Sequence, residues 1–166
     1  MDQEYFARAH TFFHDKLIGE GLERPIAEYV AGILANGPEA YRRLLDVDTE
    51  RAVSLRLDVT NVPANKFRFV GDYYLIMTGV FPHYFHSRWL RGGPTMEFYE
   101  HRGAQSYAIA ARAAQNERTL AELSSRFTQV RKCINHSMKT NPLHVSEKVR
   151  NVMLTLSLVE DIQGTH

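Results

Sequence analysis

The chain is 166 residues long, the usual length of one domain with a single core. Hydrophobic residues at 44% and charged residues at 23% exclude disordered, collagen-like and coiled-coil-only classes. A net charge of +1 supplies no bulk field for a polyanion, which argues against a general nucleic-acid or membrane-surface binder.

The single cysteine, Cys133, excludes an intrachain disulfide, and one thiol beside eight histidines gives no zinc-finger spacing. Glu4, Arg8, His10, His14, Asp15 and Lys16 leave no apolar signal-peptide stretch in residues 1–20, so a cytoplasmic location is expected. The most apolar run, Tyr73 to Phe81, falls short of the ~20 residues a bilayer requires. Pro82 closes it, and it reads as a core segment. One helical domain over residues 1–166 is expected.

In chain order, Phe6, His10, Phe13 and Leu17 fall on one helical stripe, ended by Gly19 and Gly21. Pro25 suits the first turn of a second helix whose apolar face is Ile26, Tyr29, Val30 and Ile33, with Asn36-Gly37 as its stop. Pro38 opens a short helix through Tyr41, Leu44 and Leu45, and residues 48–61 read as a helical turn plus loop. From Phe67 to Phe81 apolar side chains occur almost all round the helix, interrupted by Asp72, as in an element buried on most sides. A short aromatic helix follows Pro82, with Phe85 and Trp89 one turn apart, and Gly92-Gly93-Pro94 breaks it.

Thr95 to Gln115 reads as a helix in which Gly103, Ser106, Ala110 and Ala114 form a small-residue face, implying a close helix pair. Asn116 is expected to cap one long helix with the stripe Leu120, Leu123, Phe127, Val130, Ile134 and Met138, stopped at Asn141-Pro142. A last helix carries Val149, Val152, Met153, Leu156 and Val159. The prediction is all-α, an irregular bundle of about six or seven helices. Acidic residues outnumber basic ones over residues 1–100 and the reverse holds over 101–166; the halves could attract one another within the fold or between subunits, but a solvated surface is the favoured reading.

Standard nucleotide-binding, hydrolase and metalloprotease motifs are absent. His83 and His86, and Glu97 and His101 with Glu100 beside them, have spacings that permit a shared metal. The paired Glu-x-x-His signature of di-iron bundles is missing. His10 reads as a core-edge histidine, Cys133 as a partly buried inert thiol, and Arg126, Arg131, Lys132 and Lys139 as a solvated face. Asp72 must find a partner or stay protonated, and Arg68 one turn earlier is the expected ion-pair partner.

Gly71-Asp72, then Gly79, Phe81-Pro82, the pair Phe98-Tyr99, and Gly103 with Tyr107 four residues on form a pattern that resembles a family of bacterial all-helical proteins, over roughly residues 1–110. The resemblance implies a bacterial, cytoplasmic helical protein and carries no reaction, cofactor or catalytic residue with it.

The leading expectation is a non-enzymatic binding or protein-interaction module, homodimeric, for an unidentified small-molecule or protein partner. Its aromatic cluster of Tyr73, Tyr74, Phe81, Tyr84, Phe85, Trp89, Phe98 and Tyr99 would form a ligand cleft or a subunit interface. Asp72, His83, His86, Glu97, Glu100 and His101 complete the candidate site. The alternative is a metal- or haem-dependent enzyme using those histidines and glutamates. A second alternative is a ligand-sensing transcriptional regulator.

Overall fold

The computed structural model describes residues 3–37, 64–115 and 117–139. The short helix expected after Pro38, the turn at 48–61, the Asn116 cap and the last helix lie outside the described residues. Those residues form seven helices and no strand: α1 (Gln3–Gly19), α2 (Arg24–Asn36), α3 (Ala64–Val80), α4 (Pro82–Leu90), α5 (Met96–Ala113), α6 (Arg118–Ser125) and α7 (Phe127–Lys139). The all-α expectation holds, and none of these helices is long and apolar enough to cross a membrane.

Local signals set the helix ends. At the end of α1 the Leu22 N–H reaches the Leu17 carbonyl at 3.2 Å and the Gly21 N–H the Ile18 carbonyl at 3.0 Å. This double closure needs a left-handed residue, and Gly21 supplies it at φ 90°. Leu17 and Leu22 are both buried, which adds the apolar contact that such ends favour. The same pair of bonds ends α4, from Gly93 to Arg88 and from Gly92 to Trp89. Pro25 sits in the first turn of α2, and Pro82 in that of α4.

α1 and α2 pack mainly on each other as a hairpin, α3 lies closest to α5, α6 returns against α5, and α7 runs beside α3. α3 is the centre. Phe67 and every residue from Val70 to Gly79 are buried, as the all-round apolar pattern predicts. Fully burying a side chain such as Leu75 or Ile76 contributes roughly 1.5–3 kcal/mol over leaving it in water.

Three glycines set how closely the helices approach. A Cβ on Gly71 of α3 would lie 2.7 Å from the Tyr107 ring of α5, and one on Gly79 would lie 2.9 Å from Ile134 of α7. A Cβ on Gly103 of α5 would lie 2.5 Å from Cε2 of Phe127, the first residue of α7. Three of the pattern glycines are therefore contact points of one α3–α5–α7 assembly.

The single long helix expected from Asn116 is instead two. Glu117 caps α6, its carboxylate accepting from the Thr119 N–H at 3.1 Å and the Leu120 N–H at 2.7 Å, and the helix breaks at Arg126. At this break the Ser124 hydroxyl donates to the Ala104 carbonyl of α5 at 2.7 Å, tying the last turn of α6 to that helix, and the Ser125 hydroxyl shares the Glu122 carbonyl with the Arg126 N–H. The apolar stripe crosses the break unharmed, with Leu120, Leu123, Phe127, Val130 and Ile134 all buried.

Candidate functional site

The structure sorts the expected site residues into three places. Asp72, Tyr73, Phe81 and Tyr99 are in the core, with exposures of 1%, 8%, 2% and 6%. His83, Tyr84, His86 and Trp89 lie on α4. Glu97, Glu100 and His101 belong to α5 and line a groove shared with α7.

The expected Arg68–Asp72 ion pair does not form. The carboxylate of Asp72 accepts on Oδ1 from the Tyr29 hydroxyl of α2 and the Tyr107 hydroxyl of α5, each at 2.7 Å. Arg68 is exposed and lies 5.0 Å from the Phe69 ring centroid, acting on Asp72 only through its charge. Burial raises the Asp72 pKa from the ordinary 3.8 to about 6, against the two tyrosine bonds and Arg68, which lower it. A carboxyl on an inward face of α3 has no water to pair with, so neighbouring helices must supply its donors. Sequence reasoning missed both tyrosines. The sequence placed Tyr29 on the apolar face of α2 and Tyr107 one turn from Gly103, and nothing in it linked either to Asp72.

The aromatic cluster is mostly interior filling. Tyr73, Tyr74, Phe81, Phe85 and Tyr99 are buried, and the Phe85 and Tyr99 rings lie 4.4 Å apart between α4 and α5. Burial also pushes the Tyr99 phenol up, against the nearby Arg88 and Arg102 charges, and keeps it protonated. Trp89, Leu90 and Phe98 stay outside, at 49%, 68% and 45% exposure, on the corner where α4 hands over to α5. The Arg88 guanidinium lies 5.8 Å from the Tyr84 ring and bonds its hydroxyl at 3.1 Å. Arg102 lies 5.7 Å from both the Tyr74 and Phe98 rings. The His86 ring is 5.8 Å from that of Trp89.

The α5–α7 groove has a volume of about 850 Å³. Glu97, Glu100 and His101 of α5, Lys132 and His136 of α7, and Glu20 beyond the end of α1 line it, with Phe127 and Ala104 as its apolar part. Glu100 is buried and accepts from the Thr128 hydroxyl and from Arg131 Nη2 at 3.4 Å. Arg131 therefore belongs not to a solvated face but to a nearly closed ion pair, its side chain 12% exposed. Arg126 likewise reaches Glu23 at 3.8 Å, while Lys132 and Lys139 stay in solvent. His136 Nδ1 lies 2.6 Å from Glu20 Oε1. These three pairs join acidic residues before position 101 to basic ones after it, so at these positions the charge division is not the purely solvated surface that was the favoured expectation.

Among the described residues no group of three or more His, Cys, Asp or Glu side chains is placed to hold a metal ion. His83 and His86 point to solvent on α4 and do not join Glu97 and His101 in such a group. Cys133 borders the groove half-buried, and burial, then the Glu20 carboxylate, push its thiol up, with Arg126 opposing. A raised thiol holds its proton and reacts slowly. Iodoacetamide at neutral pH is expected to label Cys133 several-fold more slowly in the folded chain than in denaturant. Equal rates would contradict this placement.

The fold defines an irregular all-α bundle built on a buried Asp-Tyr-Tyr network, with an exposed aromatic corner and a polar groove. No protein-family model, characterised protein or solved structure matches the chain.

Proposed function

We propose that this protein is a non-enzymatic helical interaction module that pairs with a second copy of itself through the α4–α5 corner. The observation that carries the reading is the exposure of Trp89, Leu90 and Phe98 beside a sealed aromatic core. Apolar side chains scattered singly over a surface are ordinary. Here three large ones fall within residues 89–98, and Tyr84, Arg88 and Arg102 surround them. Trp, Tyr and Arg are the residues that dominate binding energy at protein–protein interfaces. Stacking holds both guanidinium groups, so little side-chain entropy remains to be lost on docking. Two-fold pairing is the commonest closed arrangement of small soluble chains and covers the same patch on both copies at once.

The chain has one tryptophan, so its emission reports on this corner alone. Sedimentation velocity is expected to show a dimer whose Trp89 emission shifts to the red on dilution. Trp89→Ala is expected to weaken pairing by on the order of 30-fold, equivalent to about 2 kcal/mol, with helix content unchanged. A chain that stays monomeric at every concentration, its tryptophan emission always that of a wet indole, would overturn the proposal.

A further inference from the structure

His10 and His14 of α1 lie outside both the α4–α5 corner and the α5–α7 groove. They stand one turn apart, both half-buried, with ring planes only 11° from parallel and centroids 6.3 Å apart. His14 Nδ1 lies 3.2 Å from the Asp15 carboxylate. An ionised carboxylate only accepts, so Nδ1 carries the proton and the lone pair of the neutral ring falls on Nε2. That Nε2 is shut off from solvent and has no hydrogen-bond partner among the described residues. Leaving a buried polar atom unsatisfied is costly, and a bound ion is one of the few things that relieves it.

We propose that His10 and His14 are a two-imidazole clamp for a late divalent transition ion of the zinc, nickel or copper class. This inference is independent of the pairing proposed above.

Histidines four residues apart on a helix share one face, the spacing by which helical zinc sites place two of their ligands. Imidazole suits these ions, whereas magnesium and calcium take oxygen ligands. Asp15 positions the clamp, because its bond to Nδ1 selects the tautomer that presents Nε2 and fixes the plane of the ring. Zn–N bonds of about 2.0–2.1 Å place two ring centres roughly 5 Å apart at a tetrahedral angle. The 6.3 Å spacing must therefore close by about 1 Å, which rotation about the side-chain bonds supplies. His14 keeps 22% of its side chain in solvent, so the same rotation admits the ion. Two rings are fewer than the three or four protein ligands of a structural or catalytic zinc centre, and solvent completes the shell. Binding is reversible for that reason.

The test is a titration of Zn2+ into the full chain, untagged and first stripped with a chelator, followed by calorimetry and by the histidine ring signals in NMR. One equivalent is expected to bind and to move the rings of His10 and His14 ahead of those of the other histidines. His10→Ala and His14→Ala are each expected to weaken binding by on the order of tenfold or more, with helix content unchanged. Zinc that leaves these two rings unmoved, or an affinity unaltered in His10→Ala, would sink the clamp. Asp15 holds His14 and not His10, so His10→Ala keeps the test decisive even if His14→Ala fails to fold.

Discussion

Gly103→Ala is expected to destabilise the fold by roughly 1–3 kcal/mol, the usual result of forcing a methyl group into a filled core. The new Cβ would lie 2.5 Å from Phe127 Cε2 and 3.2 Å from the Tyr74 Cβ. Both neighbours are buried side chains. The Phe127 ring is buried and lies 6.0 Å from that of Tyr107, and Tyr74 lies 5.9 Å from Tyr99. The strain must then move α7 off α5. An internal control is Gly32 of α2, where an added Cβ would meet nothing within 4 Å. Gly32→Ala should gain up to about 1 kcal/mol from helix propensity alone. Urea unfolding of both variants checks the pair. Equal or same-signed shifts would mean that α5 and α7 do not approach at Gly103.

Asp72→Asn is expected to gain on the wild type as pH rises, by up to about 3 kcal/mol between pH 4 and pH 7. The folded carboxyl keeps its proton to about pH 6 while the unfolded chain releases it near 3.8, so unfolding releases a proton in that window. Stability contributed by Asp72 is therefore greatest in acid and falls as pH climbs through the window. Asparagine presents the same oxygen to Tyr29 and Tyr107 and has no proton to lose. Other carboxylates titrate in both chains, so the difference between the two stability curves isolates position 72. A difference that stays flat with pH would show that Asp72 ionises as an ordinary exposed carboxylate.

Much of the local structure was legible in the residues. The Gly21 and Gly37 stops, Pro25 and Pro82 in first turns, and the Leu120–Ile134 stripe all depend on neighbours within a few positions, where backbone geometry is the same in any helix. The break at Arg126 escaped periodicity, because a stripe reads the same through a kink that preserves helical phase. The exposed face assigned to Arg131 was wrong for a different reason. Helical position says which side a residue faces but not whether another helix covers that side, and Glu100 of α5 covers this one. Trp89 and Phe85 show the same limit: they are one turn apart on α4, yet Phe85 is sealed against Tyr99 and Trp89 stands in water.

The candidate site divides along the same line. That Asp72 needed a partner followed from one carboxylate in an apolar run, since a buried unpaired charge is prohibitive anywhere. Which partners it found did not follow. Tyr29 and Tyr107 are 43 and 35 residues away, and Arg68, the near candidate, points outward.

By itself the order of residues determined that this protein is helical, where several of its helices stop and that α3 is buried on most sides, because hydrogen bonds to the fourth neighbour and the 3.6-residue period are properties of adjacent chain. Only tertiary packing decided which rings are walls of the core and which face solvent, and that three helices converge on one carboxylate. Those outcomes rest on gaps left by Gly71, Gly79 and Gly103, which Tyr107, Ile134 and Phe127 fill; the close approach at Gly103 was legible in its small-residue face, its partner was not.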